Sequence, residues 1–391
     1  MSTLADLPEV APEAIPMAED RTVGWRFLRD LGPLVRVKDA IFITGQTEVE
    51  HVLRHPELFS SKQAFDSLGS PLPLIPIATD PPDHTRYRKI LQPFFSPRSL
   101  NAVLPSLQTQ ATALIESVAG KTQIEAMSEV AVPYPSQVFL TIFGLPLEDR
   151  DRLVGWKDKV IELSTAGLSA TESGDLGPAL ELFAYLTEAI AAKRANPADD
   201  ILTHLLLGTD ETEALDDAEA LGLGFLFVLA GLDTVTAAIG FALEHLAMNP
   251  ELRRTIVADP SLIPHFAEEM VRLEPPAPTL PRVTTQEVEL AGATIPAGTL
   301  LYVCVGAANR EPGYVPTPDE VHTDDVVRKH WGFGGGPHRC LGSHLARIEL
   351  KLVLEEWHKR IPDYTITPGT QPRIVWPSGT FGLTRLDLTI P

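Results

Sequence analysis

Ten consecutive residues, Phe333-Gly334-Gly335-Gly336-Pro337-His338-Arg339-Cys340-Leu341-Gly342, constrain the fold of this chain more than any other stretch of it. Three glycines in a row let a backbone take positive φ and approach a flat ligand more closely than side chains would allow. The apolar spacing of Leu345, Ile348 and Leu352 predicts a helix directly behind, so the loop delivers Cys340 to a helix N-terminus. Aligned N–H dipoles there favour a thiolate over a thiol, and a thiolate so placed is a metal ligand. A haem iron held by such a sulfur receives electron density that promotes O–O cleavage. The bland alternative is a buried cysteine after a glycine-rich turn, and the full ten-residue pattern weighs against it.

Nothing in the 391 residues marks a place to divide the chain: no Gly/Ser linker, low-complexity tract or internal repeat. One large, mainly helical domain over residues 1–391 is expected. The 35 prolines exceed the usual share of about five per cent. They fall largely between helical segments, as in Asp80-Pro81-Pro82-Asp83 and Glu274-Pro275-Pro276-Ala277-Pro278, and punctuate a compact fold. A net charge of -20 disfavours nucleic acid as a partner, which needs a dominant basic face. The first twenty residues carry neither a basic nor an apolar signal segment, so no membrane anchor is expected. The longest apolar run, 221–232, is shorter than the roughly 20 residues of a membrane span and runs into Asp233, which reads as a buried helix. Two cysteines without C-x-x-C spacing fit a reducing cytoplasm. Cys304, inside Leu301-Tyr302-Val303-Cys304-Val305, reads as a packed strand residue.

Periodicity divides the chain coarsely. Strands are expected at 34–37 and 40–44 and a helix at 49–53, so a small β-rich lobe begins within about 25–60. Parts of 280–391 return to it, with short strands at 288–290, 301–305 and 386–390. Residues 82–275 read as almost wholly helical, with breaks at Pro133-Tyr134-Pro135, Gly144-Leu145-Pro146, 164–178 and Asn196-Pro197.

Three further groups carry chemistry. A helix expected over about 215–248 embeds Asp233 and Thr234 in apolar residues, next to Ala230 and Gly231. Burying an unpaired polar group costs about 2–7 kcal/mol, so the pair demands partners or a purpose; a threonine can bond back to its i−4 carbonyl and an aspartate can find a donor. Glu269 and Arg272 lie three apart on one helical face, close enough to pair. His84 and Arg88 share a helix face, Arg282 follows a proline-rich turn, and His338 lies two before Cys340; singly, each is more often an ordinary surface residue.

Phe333, Gly334, Gly336, His338, Cys340, Gly342, Ala346 and Arg347 together resemble the haem-binding signature of the cytochrome P450 superfamily, and the chain is similar to its soluble bacterial-type members. The resemblance implies a mainly α fold with minor β sheets, holding haem b between a long central helix and the cysteine loop. It implies Cys340 as the iron ligand, with Phe333, Gly334, Gly342 and Ala346 of the signature around the cofactor. His84, Arg88, Arg282 and His338 match positions that bind the two haem propionates. Ala230 and Gly231 would leave room for O2, Thr234 would orient it, and Asp233 would relay protons. Because peroxide-driven relatives tend to lose this acid–alcohol pair, its presence favours O2 and an electron donor. Glu269 and Arg272 match the Glu-x-x-Arg pair that braces the cysteine loop. The family often adds an arginine from a Pro-x-Arg-Phe turn; here the run is Pro318-Asp319-Glu320-Val321, which leaves the third partner unassigned and His322 as a substitute.

The function so implied is monooxygenation: one oxygen atom from O2 enters a C–H or C=C bond of a small hydrophobic molecule and the other leaves as water. No Gly-x-Gly-x-x-Gly or C-x-x-C module is fused, so NAD(P)H would supply electrons through separate proteins, with a ferredoxin-type donor implied. Despite the charge of -20, Arg86, Lys89, Arg328, Lys329 and Arg339 are candidates for a basic docking patch. By family position the substrate pocket draws on 62–80, 163–178, 223–238, 276–282 and 376–381. Its 72–77, 223–229 and 276–281 stretches carry no charge, and Lys62 and Asp66 are expected to point outward. A terpenoid, steroid or hydrocarbon-rich lipid follows. A haem-thiolate isomerase, dehydratase or peroxygenase, and a non-catalytic haem gas sensor or carrier, stand as alternatives.

Overall fold

The computed structural model describes residues 4–65, 72–166, 176–210, 212–324, 326 and 328–391. Asp66 and most of 163–178, both invoked above for the pocket, lie outside the described residues.

The architecture is organised around one helix, Asp217–Met248. It starts at a reciprocal cap, where the Asp216 carboxylate accepts the Glu219 N–H and the Glu219 carboxylate accepts the Asp216 N–H. Apolar residues surround its whole circumference, which is the pattern of a helix packed on all sides. The helices Pro133–Phe143, Gly177–Ala195 and Ser343–Arg360 pack against it. The apolar run alone is too short for a membrane span, but the helix continues to Met248 and is long and apolar enough to cross one; 72% of its most apolar window is nonetheless buried against the rest of the protein.

Pro133-Tyr134-Pro135 opens a helix instead of breaking one. Proline is tolerated in a first turn, where its missing N–H would have no intrahelical partner. That helix ends at Gly144, whose φ of 88° closes the last turn. Residues Gln123–Glu125, inside the stretch that reads as helical, form a strand because Asp387–Thr389 pairs with them, and Thr365–Ile366 completes that sheet. Here a distant partner overrides the local pattern.

The β lobe is a five-stranded sheet in the order Leu34–Val37, Ala40–Ile43, Leu300–Cys304, Thr279–Thr284, Phe59–Ser60. Ala40–Ile43 runs parallel to Leu300–Cys304 and the other pairs are antiparallel. Cys304 is buried in its strand as expected. The register sets Arg282 opposite Leu301 and brings Ser60 beside Val283, so this sheet fixes one wall of the site.

Candidate active site

Ser343–Arg360 begins one residue after Gly342, with Cys340 just ahead of it. The Cys340 N–H donates to the Phe333 carbonyl at 2.8 Å, closing the loop on itself. The cysteine is exposed only toward a cavity inside the protein, which it lines. Burial pushes its thiol above the ordinary value, against the opposing pull of the Gly342 N–H and the guanidiniums of Arg88, Arg347 and Arg339. The helix terminus alone therefore does not make the thiolate; a cation on the sulfur is what deprotonates a coordinating thiol outright.

The glycine run has a second cause besides a flat ligand. Gly334 and Gly336 take φ of 66° and 60°. A Cβ on Gly336 would lie 2.0 Å from the Leu53 carbonyl oxygen, and one on Gly335 2.7 Å from Trp331. These two glycines let the loop press onto the helix Gln46–Arg54, while Gly334 and Gly342 line the cavity. Phe333 and Ala346 line it too. Arg347 sits 4.3 Å above the Phe333 ring. It donates to Glu268 at 2.7 and 2.6 Å, and His330 meets the same carboxylate at 2.7 Å. Although burial opposes it, these partners hold Glu268 down to about 2.

Across the cavity the central helix presents Ala230, Gly231 and Thr234. The Thr234 hydroxyl donates to the Ala230 carbonyl at 3.0 Å, the back-bond open to it from sequence. A Cβ on Gly231 would meet Phe139 at 3.1 Å, so this glycine makes room for an aromatic ring as well as for a ligand. Asp233 is not among the lining residues. Its carboxylate is 2.9 Å from the buried ammonium of Lys157, on the helix Arg150–Ala166. Burial works against that ammonium, but Asp233 and Asp158 prevail and raise its pKa.

At the rim, His84, Arg88, Arg282 and His338 all face the cavity, as a set. The two imidazoles lie 4.0 Å apart, centroid to centroid. Burial and the neighbouring cations lower His84 to about 4 and His338 to about 2, and burial lowers Arg282 to about 10 despite Asp80. His84 Nε2 and Arg88 Nε are buried without a hydrogen-bond partner among the described residues. Two guanidiniums and two imidazoles gathered in one place, with His84 Nε2 and Arg88 Nε unpartnered among the described residues, fit an anionic ligand edge such as two propionates. With a thiol on one face and a small-residue patch on the other, the residues fit haem. Cys340 could hold the iron and the four rim groups the carboxylates.

Glu269 and Arg272 do not touch the cavity; they pair behind it. Arg272, fully buried, donates to both Glu269 oxygens at 2.9 and 2.8 Å. Its remaining N–H groups reach the carbonyls of Asn309, Pro318 and Glu320. The run that departs from Pro-x-Arg-Phe thus contributes main-chain carbonyls. His322 donates its backbone N–H to Glu269 at 3.1 Å, while its ring bonds to Pro316. Asn309, missed from sequence, links this pair to the loop: its amide donates to the Arg272 carbonyl and its oxygen accepts the Trp331 N–H at 2.6 Å.

Of the expected pocket segments, Phe65, Pro76, Ile77, Pro276, Ala277 and Leu280 line the cavity. The 376–381 segment does not. Phe381 is buried against Trp25 and Trp376, and its N–H donates to the Pro276 carbonyl, so this stretch braces the wall from behind. Phe139, Ile142 and Phe143 enter from Pro133–Phe143, signalled by i, i+3, i+4 apolar spacing. Glu349 also lines the cavity; it is buried, its Oε2 has no partner among the described residues, and burial drives its pKa well up.

The family model for cytochrome P450 matches residues 261–359. The probable cytochrome P450 127A1 of Sinorhizobium fredii is 35% identical over 350 residues, covering 89% of this chain and 82% of the relative. The vitamin D(3) 25-hydroxylase of Pseudonocardia autotrophica is 32% identical over 335 residues, 84% of this chain and 80% of that one. Among solved structures, P450BioI in complex with hexadec-9Z-enoic acid ligated acyl carrier protein superposes with a TM-score of 0.87 at 26% identity, covering 96% of this chain and 100% of that one.

Proposed function

The chain belongs to the cytochrome P450 family of haem-dependent monooxygenases, and from that premise we propose that it oxygenates a largely apolar small molecule with electrons passed from NAD(P)H through a separate reductase and ferredoxin. One observation carries the substrate class. The cavity wall around Ala230, Gly231 and Thr234 is built from Phe65, Pro76, Ile77, Leu226, Ala277 and Leu280, and Thr234 supplies its hydroxyl. Besides Cys340, the titratable lining residues are His84, Arg88, Arg282, His338 and Glu349. An ionic substrate group would be desolvated there without a partner, whereas apolar area gains about 25 cal/mol per Å2 on burial. Neutral terpenoids, steroids and hydrocarbon-rich lipids should therefore shift the haem spin-state band at micromolar concentration, and small cationic or anionic aromatics should not. Tight binding confined to the charged set would overturn this reading.

Haem iron, when bound, supplies the oxygen activation and the electron transfer. The residues do the rest. Cys340 would hold the iron, its sulfur kept aimed by the bond from its own N–H to the Phe333 carbonyl and by Arg347 stacked on the Phe333 ring. Thr234 turns its hydroxyl from the Ala230 carbonyl toward O2 and steadies it. Asp233 passes protons inward when its bond to Lys157 opens. Those two residues favour the monooxygenase reading over a peroxygenase, an isomerase or a gas carrier, none of which needs them. We place the single-domain protein in the cytoplasm, where NAD(P)H and reduced thiols are found. For the donor, three of the five patch candidates are already paired: Arg86 with Glu213 and Glu219, Arg328 with Asp324, and Lys329 with Glu50. Lys89 and Arg339 form no ion pair among the described residues and are the better docking contacts.

A further inference from the structure

A second cavity lies beside the first, and the two share a wall. The helix Asp83–Leu91 faces both: His84 and Arg88 line the central cavity, Asp83 and Tyr87 the side pocket. The turn before it does the same, with Pro76 and Ile77 inside and Leu74, Ile75, Ala78 and Thr79 outside. Asp216 and Glu219, at the start of the central helix, close the far side of the pocket. Phe65 lines both spaces and stands at their junction.

The two spaces differ in chemistry. Around the side pocket, Glu219 is engaged by Arg86 and Tyr87, but the Tyr87 and Thr79 oxygens, each donating its one proton to a protein acceptor, keep lone pairs to accept with. Lys62 offers N–H donors, and Asp83 and Asp216 offer acceptors. A full negative charge is repelled by the lining carboxylates Asp83, Asp216 and Glu219; Lys62 is the one lining cation among the described residues, and Arg86 nearby is taken up by Glu213 and Glu219. A neutral group that both donates and accepts matches the lining.

We propose that the side pocket is the outer half of a two-part substrate site: it holds a neutral, hydroxyl-rich end of a molecule whose apolar body occupies the central cavity, and Phe65 sets the passage between them. This rests on the apolar-substrate reading above. The test is a spin-state titration of the haem-loaded protein with n-octyl β-D-glucoside and 1-octanol, which share an apolar chain and differ in the hydroxyl-rich end. The glucoside should bind about tenfold more tightly, and Thr79→Val and Tyr87→Phe should each weaken the glucoside about fivefold while leaving octanol unchanged. Phe65→Trp, at the wall the two spaces share, should weaken the glucoside more than it weakens octanol. Equal affinity of the two ligands in the wild type, or equal losses for both in the Thr79 and Tyr87 variants, would overturn the two-part site while leaving the apolar cavity standing. If neither ligand shifts the band although the carbon monoxide spectrum shows intact haem ligation, the apolar reading falls and the two-part site with it.

Discussion

Two acids near the site are handled in opposite ways, and each supports its own experiment. Asp233 is ion-paired with Lys157 at 2.9 Å, with Thr234 beside it bonded to its own helix. Thr234→Ala should leave NAD(P)H consumption largely intact with donor proteins present but divert most of it to hydrogen peroxide, and Asp233→Asn should slow consumption itself by roughly tenfold or more. Product formed at wild-type rate and yield by both variants would show that this helix plays no part in proton delivery. Glu349 is kept neutral by burial. Its folded pKa lies above the ordinary 4.5, so its contribution to stability is full below that value and is lost as pH rises through the folded value. Glu349→Gln keeps the shape and removes the titration. The melting temperature of the variant relative to wild type should climb as pH rises above the ordinary carboxyl value, and a difference flat with pH would show that the acid does not titrate there.

The bracing element behind the cysteine loop joins the Glu269–Arg272 pair to Asn309, to the run 318–322 and to Trp331. Among the described residues Asn309 alone satisfies the Arg272 carbonyl and the Trp331 N–H, both buried. Asn309→Ala leaves two buried groups unpaired at about 1–3 kcal/mol each, so urea denaturation should show a loss in that range together with earlier haem release; release at the wild-type urea concentration would mean that the loop is braced elsewhere. The element scale is also where sequence reading reaches its limit. The cysteine loop, the central helix and the Glu269–Arg272 pair are legible because each is encoded within a few adjacent residues, as a glycine run, an apolar periodicity or an i, i+3 spacing. Asn309, Lys157 and the strand Gln123–Glu125 are not, since their partners lie far along the chain and nothing local distinguishes them. Pro133 misleads for a related reason: a proline that starts a helix and one that stops it look alike until the register is known. The 376–381 stretch is near the wall, as its family position implies, but whether it lines the cavity or backs it is decided by Trp25, more than three hundred positions away.

At the scale of the whole molecule the net acidity bears on the proposed donor. A charge of -20 would repel an acidic ferredoxin at long range, so its docking would depend on local cations. Arg339→Glu should slow reduction by reduced ferredoxin several-fold at low ionic strength, and the difference should fade as salt shortens the Debye length below about 10 Å; equal rates at low salt would move the donor to another face. The arrangement of the cavity also bears on how the protein is made. Its lining residues run from Phe65 to Leu350, so the site closes only when nearly the whole chain has left the ribosome. Until then Asp217–Met248, which meets the length and polarity limits of a bilayer span, has no Ser343–Arg360 to cover it. A chain truncated soon after Met248 would leave uncovered the face of that helix on which Ser343–Arg360 packs, and such a fragment should be found in the membrane pellet or in inclusion bodies of cells expressing it. The same apolar faces that close around the cavity in the finished enzyme would make its unfinished form a client for chaperones.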